Sequence, residues 1–130
     1  DNNWLVGALE YEFKHNRVGP ARRLLQSKRK IFLNTVSYAE FLSGPPSEIR
    51  TEIVRRLGFL PMISYPEAQH AASLRRRRAK HGKPLSLPDA LMAASALRHR
   101  CQLLTADRDY SGIPGLKWSH YPSSQETPKP

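Results

Sequence analysis

Four short apolar runs, IFLN (31–34), FLPMIS (59–64), QLLT (102–105) and GLKW (115–118), are separated by segments with helical spacing. This alternation constrains the fold more than any other feature of the chain. Runs this short suit strands, and none approaches the roughly 20 residues of a membrane-spanning helix. Short apolar strands alternating with helices predict an α/β fold with a mostly parallel sheet covered on both faces. Pro61 weakens the second run as a strand, because proline cannot donate to a ladder.

The helices follow from spacing and breakers. Trp4, Leu5, Ala8, Leu9 and Phe13 keep helical spacing up to Gly19-Pro20, and a basic helix is expected around residues 21–28. A helix from Ser37 to about Leu42 is stopped by Gly44-Pro45-Pro46. Ile49, Ile53, Val54 and Leu57 give one face of the next. A helix over 66–80 is closed by Gly82-Lys83-Pro84. Leu87, Leu91, Ala94 and Leu97 define the apolar side of a last helix running to about Arg100. Residues 1–118 read as one domain, and the polar, proline-rich SHYPSSQETPKP (119–130) reads as a flexible tail.

In parallel sheets, ligands sit beyond the carboxyl ends of the strands. The chain has 11 Asp plus Glu against 21 Lys plus Arg, so acids placed at that edge call for a reason. Asp107 follows strand 102–105 in LLTADRDY and has two readings, a turn residue bonding nearby amides or a site residue. Glu40 sits in TVSYAEFLSG, where Ser37 to Glu40 match a capping box. The same location puts Glu40 at the start of the helix after strand 31–34, the edge of Asp107. Asp89 sits in LSLPDALMAASAL, where Ser86 to Asp89 match a second capping box. Ala93 and Ala96 follow Asp89 on its helical face, so that face can approach the sheet closely. Asp1, in DNNWL, has the pattern of an acid on a strand-to-helix turn, but with no strand before it the residues alone read as a frayed terminus.

Carboxylates gathered at one edge repel, at about 3 kcal/mol per pair for a separation near 5 Å and an effective dielectric near 20. A divalent cation removes that cost. All-oxygen ligands select Mg²⁺ or Mn²⁺, and one cysteine with five scattered histidines offers no zinc spacing. A net charge of +10 points to a polyanionic partner, RNA or DNA first. A carboxylate-bound cation beside a basic surface fits phosphodiester hydrolysis. The lone Cys101 excludes an internal disulfide, fits a reducing cytoplasmic setting, and reads as filler rather than nucleophile.

The order of these motifs resembles the PIN-domain nucleases, most closely the VapC-type toxins of toxin–antitoxin pairs. DNNWL is similar to the family's Asp-Thr-Asn-Val-Leu, SYAEFLSG to its glutamate-bearing helix, and LSLPDALMAASAL to its Asp-Ala-Leu-Ile-Ala-Ala. LLTADRDYSGIPGL is similar to Leu-Val-Thr-x-Asp-x-x-Phe followed by Ile-Pro-Gly-Leu. The similarity covers residues 1–118. It implies a three-layer α/β/α sandwich with a central, mostly parallel sheet and an acidic pocket for Mg²⁺ or Mn²⁺. Asp1, Asp89 and Asp107 would surround the metal, and Glu40 would bind a second ion or orient water. Thr105 would bond within the site, and Asn3 would support the turn presenting Asp1. Asp109 falls outside the motif and is expected to be a turn residue. Family members begin with an apolar strand that delivers the first Asp, so a strand upstream of Asp1 is expected.

Two functions from different classes remain at this point. One is a metal-dependent endoribonuclease with a toxin role, held by a cognate antitoxin, with homodimerisation possible. The other is a basic nucleic-acid-binding module whose acids are helix caps; a PIN-like RNA-processing nuclease without an antitoxin is a third. Arg75, Arg76, Arg77 and Arg78 read either as phosphate contacts or as a solvated helix end. Arg22, Arg23, Lys28, Arg29 and Lys30 form a second basic cluster with the same ambiguity.

Overall fold

The computed structural model describes residues 3–6, 30–43, 51, 54–105 and 109–120. In chain order the elements are β1 (Asn3–Val6), β2 (Lys30–Leu33), α1 (Thr35–Leu42) and β3 (Gly58–Phe59). They continue with α2 (Tyr65–Lys80), α3 (Leu87–Arg98), β4 (Gln102–Thr105) and β5 (Trp118–His120). The strands form one sheet in the order β3-β2-β1-β4-β5, and every pairing is parallel. The α/β fold with a central parallel sheet is therefore the observed one.

The sheet is buried on both faces, as short unbroken apolar strands require. Leu5 lies opposite both Phe32 and Leu103, and Val6 lies opposite Leu104. Successive residues of a strand face opposite sides, and Leu5, Val6, Leu103 and Leu104 are all buried. Leu5 and Leu103 join a core under α2 and α3 that includes Ala71, Leu74, Ala90, Ala93, Ala94 and Ala96. The alanines let α3 lie close to the sheet, where larger side chains would hold it away.

Several expectations are corrected. Residues 3–6 form a strand, not the start of a helix over 4–13, because pairing with β2 and β4 on both sides outweighs local spacing. The middle place in the sheet, expected for a strand upstream of Asp1, is taken by Asn3–Val6. The run at 59–64 supplies to β3 only Phe59, which follows Gly58, and one further bond, Leu60 N–H to the Leu33 carbonyl at 2.9 Å, before Pro61. The last strand is Trp118–His120 rather than 115–118, since Gly115 is in a turn at φ 78°. That strand runs two residues into the segment assigned to the tail. In α3 Ala90, Ala93, Ala94 and Ala96 are buried, with Leu91 and Leu97 packed against the same core, while Leu87 is 49% exposed. The helix over 21–28 and residues 121–130 lie outside the described residues, as do 49, 50, 52 and 53; of the helix expected around 49–57, residues 51, 54 and 55 are helical.

Helix α2 was expected over 66–80 and spans Tyr65–Lys80, with Gly82 at φ 71° just beyond its end. That left-handed conformation is the usual helix stop and favours glycine. No helix among the described residues is long and apolar enough to cross a membrane.

Candidate active site

The carboxyl edge of the sheet is built by the ends of β2 and β4 and the first turns of α1 and α3. Asn34 follows β2 and caps α1, with its Oδ1 accepting the Ser37 N–H at 2.9 Å. The Ser37 hydroxyl oxygen in turn accepts the Asn34 N–H at 2.9 Å. The capping box is thus Asn34 with Ser37, one turn earlier than Ser37 with Glu40. Its members are buried, so the helix start is set from inside the protein. Glu40 takes no part in that cap and sits half-buried in the second turn of α1.

Asp89 occupies the third position of α3. The Ser86 hydroxyl accepts the Asp89 N–H at 3.2 Å, so half of the second expected box is present. The carboxylate is engaged elsewhere: the Tyr110 hydroxyl donates to Asp89 Oδ1 at 3.4 Å. Asp89 is half-buried in the first turn, where the positive end of the helix dipole favours its charge. Helices α1 and α3 pack against each other, so Glu40 and Asp89 belong to adjacent elements at one edge. Thr105 ends β4 there and is buried.

Not every expected residue is drawn to this edge. Asn3 begins β1 opposite Lys30, the first residue of β2, so it lies where the strands start. It cannot support a turn at the carboxyl edge, because the strand runs away from it. Asp1 and Asp107 lie outside the described residues. Among the described residues no group of three His, Cys, Asp or Glu converges in a way that could hold a metal. The donors that are described fit a hard cation, since Glu40 and Asp89 offer oxygen alone. The one thiol, Cys101, is buried beyond the far end of α3.

The basic run divides by helical face. Arg78 is 7% exposed. It donates from Nε to the Lys83 carbonyl at 2.9 Å, from Nη2 to the Asp109 carbonyl at 3.2 Å, and from Nη1 to the Ser111 carbonyl. Arg75, three residues earlier on the same face, donates from Nε to the Leu85 carbonyl at 3.0 Å. These two tie α2 to the segments flanking the site. Arg76 and Arg77 are exposed. Asp109 accepts the Ser111 N–H at 2.9 Å, the turn role expected of it. Its bonds to the Ser111 side chain and backbone hold its carboxyl below the ordinary carboxylate range, with smaller help from Lys83 and Arg78.

Sequence reasoning missed three residues here: Asn34, Tyr110 and the buried role of Arg78. Tyr110 had a visible sign, since it stands where the similar pattern has Phe. Arg78 had none, because a run of four arginines does not say which one turns inward.

A family model for the PIN domain matches residues 1–116. The chain belongs to the PIN domain family. Solved structures share the fold of this PIN domain at low identity. A VapBC2 complex from Rickettsia felis bound to a promoter DNA fragment matches with TM-score 0.69 and 18% identity, covering 92% of this chain and 98% of that one. VapBC-1 from nontypeable Haemophilus influenzae matches with TM-score 0.68 and 19% identity, covering 91% and 96%. A toxin–antitoxin complex from Klebsiella pneumoniae matches with TM-score 0.66 and 24% identity, covering 88% and 94%. Among curated proteins none matches the chain.

Proposed function

We propose that this PIN domain is a divalent-cation-dependent endoribonuclease that serves as the toxin of a toxin–antitoxin pair. The observation that carries the reading is the placing of Glu40 and Asp89. Two scarce acids sit half-buried on packed helices at the carboxyl edge of a parallel sheet. PIN-family membership and structural neighbours that are toxin–antitoxin complexes support the function around that edge.

In this reading Asp89 and Asp107 hold Mg²⁺ or Mn²⁺, and Glu40 holds a second ion or orients the attacking water; Asp1, two residues before the amino end of β1, is not among the ligands. The bound cation supplies Lewis-acid polarisation of the phosphate and a more acidic water. Glu40 and Asp89 supply carboxylate oxygens at the edge where buried Thr105 ends β4. Exposed Arg76 and Arg77, within a chain of net charge +10, contribute phosphate attraction for RNA. A cognate antitoxin would silence the enzyme by covering the acidic edge.

RNA cleavage measured with Mg²⁺ or Mn²⁺, with EDTA, and in Glu40→Gln, Asp89→Asn and Asp107→Asn chains tests the proposal. Metal-dependent cleavage lost in all three variants supports it. RNA binding without metal-dependent cleavage would leave a basic nucleic-acid-binding module instead. Cleavage surviving Asp89→Asn and Asp107→Asn would overturn the site.

A further inference from the structure

Tyr110 is 2% exposed and belongs to the core cluster. Its ring meets Trp118 edge-on at a centroid distance of 5.9 Å. The backbone on either side is pinned by one side chain, since the Arg78 guanidinium donates to the carbonyls of both Asp109 and Ser111. The turn is closed again by the Ser111 N–H on Asp109 Oδ1 at 2.9 Å. A phenol this buried has its ring orientation fixed by packing and its hydroxyl obliged to find a partner. The hydroxyl reaches Asp89 Oδ1 at 3.4 Å. Phenylalanine, which the similar family pattern carries here, would fill the same ring volume without the hydroxyl.

We propose that Tyr110 is a positioning residue for Asp89, its hydroxyl holding Oδ1 so that the carboxylate is presented to a divalent cation in one orientation. Arg78 acts one step further back by holding the turn that carries Tyr110. The inference rests on the proposed metal role of Asp89. Its physical basis is preorganisation: a ligating carboxylate fixed by a neighbouring donor does not have to be ordered when the cation arrives. Loss of such an outer partner costs about 10-fold or more in metal affinity.

Mn²⁺ binding by calorimetry, with thermal unfolding in EDTA, on the full chain and its Tyr110→Phe and Asp89→Asn variants tests this. Tyr110→Phe should unfold in EDTA within about 2 °C of the parent, because the ring packing is kept. Its Mn²⁺ dissociation constant should rise about 10-fold, while Asp89→Asn should abolish binding. Unchanged Mn²⁺ affinity in Tyr110→Phe, with binding lost in Asp89→Asn, overturns the positioning role and leaves the metal site standing. A Tyr110→Phe chain that unfolds more than about 5 °C lower in EDTA shows a merely structural hydroxyl and also overturns it. A parent chain that binds no Mn²⁺ overturns the metal site itself.

Discussion

Asn34 and Ser37 cap helix α1 reciprocally, each backbone N–H donating to the other's side-chain oxygen at 2.9 Å. That reciprocal cap is closed by Asn34 and Ser37 without Glu40. Asn34→Ala should cost about 1–2 kcal/mol in chemical denaturation, the usual loss for a helix cap. Glu40→Gln should stay within about 0.5 kcal/mol of the parent while abolishing metal-dependent RNA cleavage. A Glu40→Gln chain that is as destabilised as Asn34→Ala would return Glu40 to a structural role.

The arginines of α2 should separate into two behaviours. Arg78→Met removes bonds to three carbonyls and should lower stability by about 2 kcal/mol. Arg76→Ala and Arg77→Ala should leave stability within about 0.5 kcal/mol. Each should instead reduce the salt dependence of RNA binding by about one counterion. Equal stability of all three variants would refute the division.

Glu67 is a buried acid at the opposite end of α3 from Asp89. It is 2% exposed, and its Oε1 accepts the Ser64 N–H at 3.1 Å and the Ser64 hydroxyl at 2.9 Å. Arg98 Nε and His99 Nε2 lie 3.7 and 3.8 Å from the same oxygen. Glu67→Ala breaks the capping box of α2 and should cost about 2 kcal/mol. An unchanged denaturation midpoint would contradict this.

Burial pushes the Cys101 thiol up, so the thiolate is scarce near neutral pH. A disulfide reagent should therefore label Cys101 at a rate that follows unfolding as denaturant is raised. Immediate labelling in native buffer would count against this, and against its role as core filler.

Asp109 gives an acid dependence of known sign. Its folded-state carboxyl lies below the unfolded one, through the Ser111 bonds first. Its contribution is fully present above the unfolded value and is lost as pH falls through the folded value. The Ser111 amide proton should report this in an NMR titration, moving at a midpoint below 3.8, the ordinary value for an aspartate. A midpoint above 3.8 would reverse the sign and refute the turn's role.

Much of the fold can be read from particular residues. QLLT and IFLN are strands because unbroken short apolar runs suit a sheet buried on both faces. Gly82 marks the end of α2 because only glycine adopts its conformation without strain. NWLV misleads, since its spacing is helical while its place between β2 and β4 makes it a strand. Local spacing carries no information about partners that arrive from residues 30 and 102 onward.

The candidate site divides the same way. By itself the chain determines that acids are few, that Glu40 and Asp89 lie on helices after or beside strands, and that oxygen donors favour a hard cation. It also determines the excess of positive charge. Only the tertiary structure decides that Asn34 rather than Glu40 closes the cap of α1, and that Arg78 turns inward while Arg76 and Arg77 stay out. It alone brings the Tyr110 hydroxyl to Asp89 across 21 positions of chain. Charge and hydrophobic pattern are properties of residues, legible one at a time. A hydrogen bond between distant residues exists only once packing has fixed both of its ends.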